Sequence, residues 1–404
     1  MTTLKQVDLF DIRGLFVSEL YKVPIEHIDI GMYISETTPG LLDVGFNTKG
    51  MISQRGTIER LVLSGIKELY IDVSKGKRSD YSVPVRDKNH NTSATKTLAD
   101  ERQNAEKVYG EAVSLVGSLM KDVKMGNPID VGPVEELADD INNSVLNNEN
   151  ALLCLSQIRE KDQYLLEHSI NVGILMGVLS RHLGFARDTV HQLVTGALLH
   201  DIGKIRVPYN VLNKPGKLNE DEWVEMQRHV QYGQEVLLKS QGISDVAMSI
   251  CAQHHERLDG TGYPQQLKGK QINTYGRLAS VVDIYDALTA DRVYHQGKTP
   301  FEAMKILITL GDNHLDKAFV YEFIRCMSVY PVGTLVELNN GKLGVVLQAN
   351  SQNPSAPEVR VFFNFKHKHF ENPQVVDLAK KALGLTVVAA HDPRALNIDI
   401  RDFL

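Results

Sequence analysis

Histidines and aspartates at wide, regular spacing are the residues of this sequence that could do chemistry together. His168, His200-Asp201, His229, His254-His255 and Asp283 follow one another at intervals of 25 to 32 residues, about one helix plus its connection. Each cluster can therefore ride on its own helix and face a shared centre, which is how helical bundles build metal sites. The adjacent pairs bear on the number of ions. Neighbours on a helix diverge by about 100°, so one ion rarely takes both members of His200-Asp201 or of His254-His255, whereas two ions can. Neutral imidazoles with few carboxylates suit zinc, iron(II), manganese or nickel, while calcium and magnesium prefer oxygen shells.

The surroundings of the series carry their own mechanics. His254-His255-Glu256 runs into Asp259-Gly260-Thr261-Gly262-Tyr263-Pro264, whose two glycines and proline enforce a tight non-helical loop, a lip facing substrate. Between Ile202 and Leu218 stand Lys204, Arg206, Lys214 and Lys217 with no acid among them, a local anion trap on a chain of net charge −6. The remaining histidines, His27, His90, His182, His191, His295, His314, His367, His369 and His391, lack such a context and read as surface or satisfied core residues.

The elements that must hold these residues are legible around them. Residues 17–73 read as a small α+β unit, with alternation over 21–36, a short helix over 57–66 and a strand over 68–73. The polar stretch 74–91 reads as a linker. Apolar residues recur at helical spacing over 98–123, and Pro133 opens a second helix with Val134, Leu137, Ile141 and Val145 on its face. From 151 to about 328 the punctuation predicts six or seven helices: Gly184 closes one, Asn219 with Glu222 caps another, and Thr299, Pro300 and Glu302 open a third. After Pro331 the period becomes two, with strands over 334–338, 342–348, 359–365 and 375–378. The expected fold class is thus multidomain α+β: residues 1–76 a small α+β regulatory unit, 77–150 a linker and connecting helices, 151–328 a central all-α bundle, and 329–404 a β-rich appendage.

Composition bounds the function. At 404 residues, 43% hydrophobic and 23% charged, the chain has room for two or three domains. The acidic balance argues against coating DNA or RNA. No stretch approaches the roughly 18 apolar residues of a membrane span, and the first residues mix charges among apolar ones rather than forming a signal-peptide core. Cys154, Cys251 and Cys326, widely spaced, read as buried thiols, and the expected compartment is the cytoplasm.

On these motifs the sequence resembles the HD-GYP family of bacterial metal-dependent phosphodiesterases, a branch of the HD hydrolase superfamily. The resemblance rests on His168-Ser169, the block His200-Asp201-Ile202-Gly203-Lys204, His229, the run HHERLDGTGYP from His254 to Pro264, and Asp283 followed by Asp286-Ala287-Leu288-Thr289-Ala290-Asp291-Arg292. Residues 17–76 also resemble the small domain of unassigned function that often precedes this one, with Gly31-Met32-Tyr33 and Ile71-Asp72-Val73 as its recognisable points. The family implies hydrolysis of cyclic di-GMP, or of cyclic GMP-AMP, to the linear dinucleotide and in some members onward to mononucleotides.

It also implies roles. Asp201 is similar to the family's bridging carboxylate, holding two ions about 3.5 to 4 Å apart around an acidified water, and Asp283 completes the shell. Lys204, one helical turn beyond His200, is expected to set its ammonium against a phosphate oxygen. Arg206, Lys214, the Gly262-Tyr263-Pro264 lip and Arg292 are expected to contact substrate. Two departures stand out. The glutamate that three-metal members carry one turn before the first ligand is Tyr164 here, with Glu167 on another face, so two ions are expected, iron or manganese first and zinc or nickel also suited. Arg292-Val293-Tyr294-His295 replaces the commoner Arg-Pro-Tyr-Arg. Two other readings stay open: a receptor that binds a cyclic dinucleotide without cleaving it, and an HD hydrolase of other phosphoesters. A signalling-protein partner at the lip and a homodimer are open as well.

Overall fold

The computed structural model describes residues 20–25, 28–35, 50–64, 66, 68–72, 76–77, 83–84, 96–156, 164–290, 297–350, 353, 355–380, 384–396 and 398–403. They fall into two compact units, one ending at Asn91 and one beginning at Thr92. The first is a five-stranded sheet, β1 (Leu20–Pro24), β2 (Tyr33–Ile34), β3 (Gly50–Met51), β4 (Glu68–Asp72) and β5 (Val83–Pro84), in the order β3-β2-β4-β1-β5, with helix α1 (Arg55–Leu63). Its core is Val23, Ile34, Ile52, Leu61, Leu69 and Ile71 with their neighbours. The stretch expected to be wholly linker contributes β5, paired to β1 at the sheet edge, where a proline such as Pro84 breaks no ladder.

The second unit is helical and then β-rich, as the sequence pattern predicts. Helix α2 (Leu98–Lys124) starts on a Thr97–Asp100 capping box and buries Val108, Ala112, Val116, Leu119, Met120 and Val123. Helix α3 (Gly132–Ser156) buries Val134, Leu137, Ile141 and Val145, breaks its helical geometry at Asn148, and runs on past residue 151. Next come α4 (Tyr164–His182), α5 (Arg187–Leu199), α6 (Tyr209–Leu212), α7 (Glu220–Gln227), α8 (His229–Lys239), α9 (Asp245–Gln253), α10 (Thr274–Thr289), α11 (Pro300–Leu310) and α12 (Lys317–Met327). That is nine helices among the described residues after α3, where six or seven were expected. The excess comes from α6, a single turn, and from the break at Arg228 that separates α7 from α8. Helix α4 is apolar around nearly its whole circumference and so lies at the centre, buried from Glu167 to Ser180. One continuous core joins α2 and α3 to the later helices.

The last sheet is β6 (Leu335–Leu338), β7 (Lys342–Gln348), β8 (Glu358–Asn364), β9 (His369–Asp377) and β10 (Val387–His391), in the order β10-β6-β7-β8-β9. Both edge strands differ from the expectation: β9 starts earlier than 375, and β10 was not foreseen. Strand β9 is largely exposed, so it lacks the alternation that marks a half-buried strand, and its Pro373 is tolerated at an edge. Among the described residues no helix is long and apolar enough to cross a membrane.

Candidate metal centre

All seven residues of the His/Asp series converge in one place, and helix ends do most of the positioning. His168 lies on α4. Helix α5 stops at Leu199, so His200 closes it (φ −56°, ψ −36°), and Asp201 (φ −103°, ψ 9°) has already left the helical backbone. The expectation of two ligands diverging around one continuous helix is corrected here: the pair straddles a helix end. A 3₁₀ turn over Ile202–Arg206 follows. Three residues per turn bring Lys204 beside Asp201 rather than His200, and the Lys204 ammonium donates to Asp201 Oδ2.

His229 is the first residue of α8. It reaches Asp201 because Gly203 lets two backbones meet: a Cβ on Gly203 would lie 2.0 Å from the His229 carbonyl oxygen and 2.3 Å from Gly233 N. His254 ends α9 and His255 begins the turn after it. Asp283 and Asp286, three apart on α10, share the face turned to the centre.

Asp201 sits between two groups of nitrogens. Its Oδ2 is 3.3 Å from Nε2 of His168 and 3.3 Å from Nε2 of His200, while its Oδ1 is 3.3 Å from Nε2 of His229 and 3.7 Å from Nε2 of His254. Asp283 Oδ1 lies 3.1 Å from His168 Nε2, and its Oδ2 is 3.6 Å from His255 Nδ1. The donor atoms of Asp201, His229, His254 and His255 all fall within 4.8 Å of one another, and so do those of His168, His200 and Asp283.

The imidazoles are locked in the tautomer a metal needs. A carbonyl oxygen only accepts, so Nδ1 carries the proton in His200 (to Ala197 O, 2.7 Å), His229 (to Met226 O, 2.7 Å) and His254 (to Cys251 O, 3.0 Å). Each Nε2 then turns its lone pair inward. His168 bonds through Nδ1 to Asp286 Oδ2 at 2.7 Å, the carboxylate–histidine pairing that orients metal ligands. His200 Nε2 and Asp201 Oδ1 are buried with no hydrogen-bond partner. Orphaned buried polar atoms are costly, and a divalent cation satisfies a nitrogen and an oxygen of this kind together. The residues fit a metal.

Electrostatics agrees. Burial by itself raises the Asp201 carboxyl, but the Lys204 ammonium outweighs it and holds it well below the usual carboxylate range. Asp283 is likewise lowered against its burial, first by its bond with His168. Burial pushes His229 and His255 down, keeping both imidazoles neutral near pH 7.

The lip is a built structure. The buried Glu256 carboxylate accepts from Gln265 N (2.7 Å) and Leu267 N (3.0 Å), closing the loop on itself. A Cβ on Gly262 would lie 2.4 Å from Arg257 N, so only glycine fits. Tyr263 N donates to His255 O, and its ring lies 4.7 Å from the His255 ring, with Pro264 following. His314 ties the lip to the turn after α11, through Asp259 at 3.3 Å and a bond from Leu258 N to His314 O.

The basic stretch is less open than its sequence implies. Arg206 pairs with Glu235 at 2.6 Å and Lys214 with Glu222 at 2.5 Å, acids supplied by α8 and α7, while Lys217 is exposed. Arg292 lies outside the described residues. Sequence reasoning left Asp286 and Glu256 without roles. The three-residue step from Asp283 was a usable signal for the first, whereas nothing local marks Glu256 as the acceptor of two amides beyond residue 264.

An HD domain model matches residues 152–319, a domain of unknown function matches 20–134, and a KOW domain associated with HD domains matches 335–398. Over 388 residues the chain is 35% identical to a cyclic di-GMP phosphodiesterase of Pseudomonas aeruginosa, covering 94% of each chain. It is 42% identical over 150 residues to a cyclic di-GMP phosphodiesterase response regulator of Xanthomonas campestris pv. campestris, which is 37% of this chain and 40% of that one. A 3'3'-cGAMP-specific phosphodiesterase of Vibrio cholerae is 36% identical over 154 residues, 38% of this chain and 30% of that one.

Proposed function

Because this chain belongs to the HD-GYP family of HD-domain phosphodiesterases, we propose that it hydrolyses a cyclic dinucleotide, cyclic di-GMP first and 3'3'-cyclic GMP-AMP second, to the linear dinucleotide. The observation that carries this reading is the carboxylate of Asp201, whose two oxygens face two separate histidine groups. His168, His200 and Asp283 with Asp201 Oδ2 would hold one ion, and His229, His254 and His255 with Asp201 Oδ1 the other. The ligand types favour iron or manganese and also suit zinc and nickel. Bound there, two divalent ions acidify a water and offset the charge of a phosphodiester.

The chain's own groups do the rest. Lys204, already beside Asp201, sets its ammonium against the phosphate oxygen whose charge grows in the transition state. The Gly262-Tyr263-Pro264 lip walls one side of the substrate. Arg206 and Lys214 exchange their glutamate partners for phosphate at the rim, and Arg292 adds a further cation. Three free thiols fit a reducing compartment, and we place the protein in the cytoplasm.

The test is product analysis on both cyclic dinucleotides with metal-loaded protein and with a His200→Ala, Asp201→Ala variant. Linear dinucleotide from the parent chain and none from the variant is the expected result. Tight binding without cleavage would make the protein a receptor, and cleavage confined to mononucleotide esters would make it a different HD hydrolase.

A further inference from the structure

Helix α7 stands beside the centre and adds nothing to the core. None of its eight residues is buried. It is nonetheless firmly held, by the Asn219–Glu222 capping box, by the Lys214–Glu222 ion pair and by its direct junction at Arg228 with α8, the helix that carries His229. On it sits Trp223, the single tryptophan of the chain, 48% exposed. Its indole stands edge-on to the Tyr263 ring, with centroids 6.0 Å apart and planes at 82°. Tyr263 in turn lies 4.7 Å from the His255 ring and 6.3 Å from the His229 ring. A row of rings thus leads from two candidate ligands out to an indole left half in water.

Holding so large an apolar ring in solvent gives up burial that the fold could have used. Its position gives the reason. A nucleotide whose phosphate lies at the His/Asp centre carries its base one ribose away, and a base stacks on any flat aromatic surface within that reach. We propose that Trp223 is a positioning residue that stacks a purine base of the cyclic dinucleotide, so that base recognition is built on α7 and phosphate chemistry on the helix ends behind Tyr263. This rests on the cyclic-dinucleotide reading above. The same feature makes the chain self-reporting, because all indole fluorescence comes from the proposed contact.

Steady-state hydrolysis of cyclic di-GMP by the metal-loaded full chain tests it. Trp223→Ala is expected to raise KM about tenfold and to leave kcat within about threefold, as loss of one stacked base requires. Metal content and thermal midpoint should match the parent chain, and Trp223→Phe should recover most of the KM. In the parent chain, titration with a slowly cleaved phosphorothioate analogue of cyclic di-GMP should quench indole fluorescence saturably. An unchanged KM in Trp223→Ala, or a loss of kcat and metal without a change in KM, overturns the proposal. Should the parent chain release no linear product, the hydrolytic reading fails by itself, and the fluorescence titration still decides the stacking: saturable quenching upholds it and flat emission rejects it.

Discussion

The two sides of Asp201 are built differently. On the interior side, His168, His200 and Asp283 come from α4, α5 and α10, lie within the packed body, and are braced by a side-chain bond from His168 to Asp286. On the mouth side, His229 starts a helix, His254 ends one, and His255, 21% exposed, belongs to a turn that continues into the lip. The first half is inseparable from the core and the second is shaped by loops that glycine and Glu256 hold in place. Changes among the buried ligands and their supports should therefore register in stability and metal retention, and changes at the lip in substrate affinity as well.

Removing the shared group should erase the distinction. Asp201→Ala is expected to bring turnover to background and to strip metal from both halves, as read by elemental analysis beside product chromatography. A pair of glycine variants comes next. Gly203→Ala forces a methyl into the His229 carbonyl, a backbone clash at the upper end of overpacking costs, about 3 kcal/mol, visible in denaturant unfolding. Gly262→Ala drives its methyl into the backbone of Glu256 and Arg257, so it too should lower the unfolding midpoint, and because the strain falls on the lip it should also raise KM. An unchanged KM in Gly262→Ala would contradict a lip that faces substrate.

Bracing groups offer a finer contrast. Asp286→Asn should weaken metal affinity by about 10- to 100-fold in a chelator competition, the usual cost of losing a ligand's outer partner. Glu256→Gln should leave that competition unchanged and raise KM, because it loosens only the bonds to Gln265 and Leu267. Smaller still is the effect of Arg206→Gln or Lys214→Gln, expected to change KM by only a few-fold, since each cation is shared with a surface glutamate.

Acid should act on both sides together. Burial lowers the His229 and His255 imidazoles below their ordinary value, so below about pH 6.5 the unfolded chain takes up protons that the folded chain refuses. Their contribution is complete above that value and shrinks as the pH falls. The depressed carboxyls of Asp201 and Asp283 repeat the pattern lower down, stabilising above about pH 4 and losing that effect in stronger acid. Metal-free protein should thus show a lower denaturant midpoint at about pH 5.5 than at about pH 7.5, and a higher one would contradict the burial of these imidazoles.

The helical body and the His/Asp convergence were legible because each rests on local regularities. Spacing by one helix and its connection places His168, His200, His229, His254 and Asp283 on separate elements, and capping residues such as Thr299 and Asn219 mark where helices start. What escaped depends on partners distant in sequence or on exposure. The stretch holding Lys204, Arg206 and Lys214 looked like an unopposed field, because Glu235 and Glu222 lie on later helices. The break between His200 and Asp201 needed the backbone angles. Strands β9 and β10 escaped because sheet edges bury too little to alternate.

Metal stoichiometry of anaerobically purified chain, measured on the parent protein and on Asp201→Ala, tests the central claim most directly. The account predicts two transition-metal ions per chain in the parent and their loss from the variant. A single ion in the parent, or a content unchanged by removing Asp201, would contradict it.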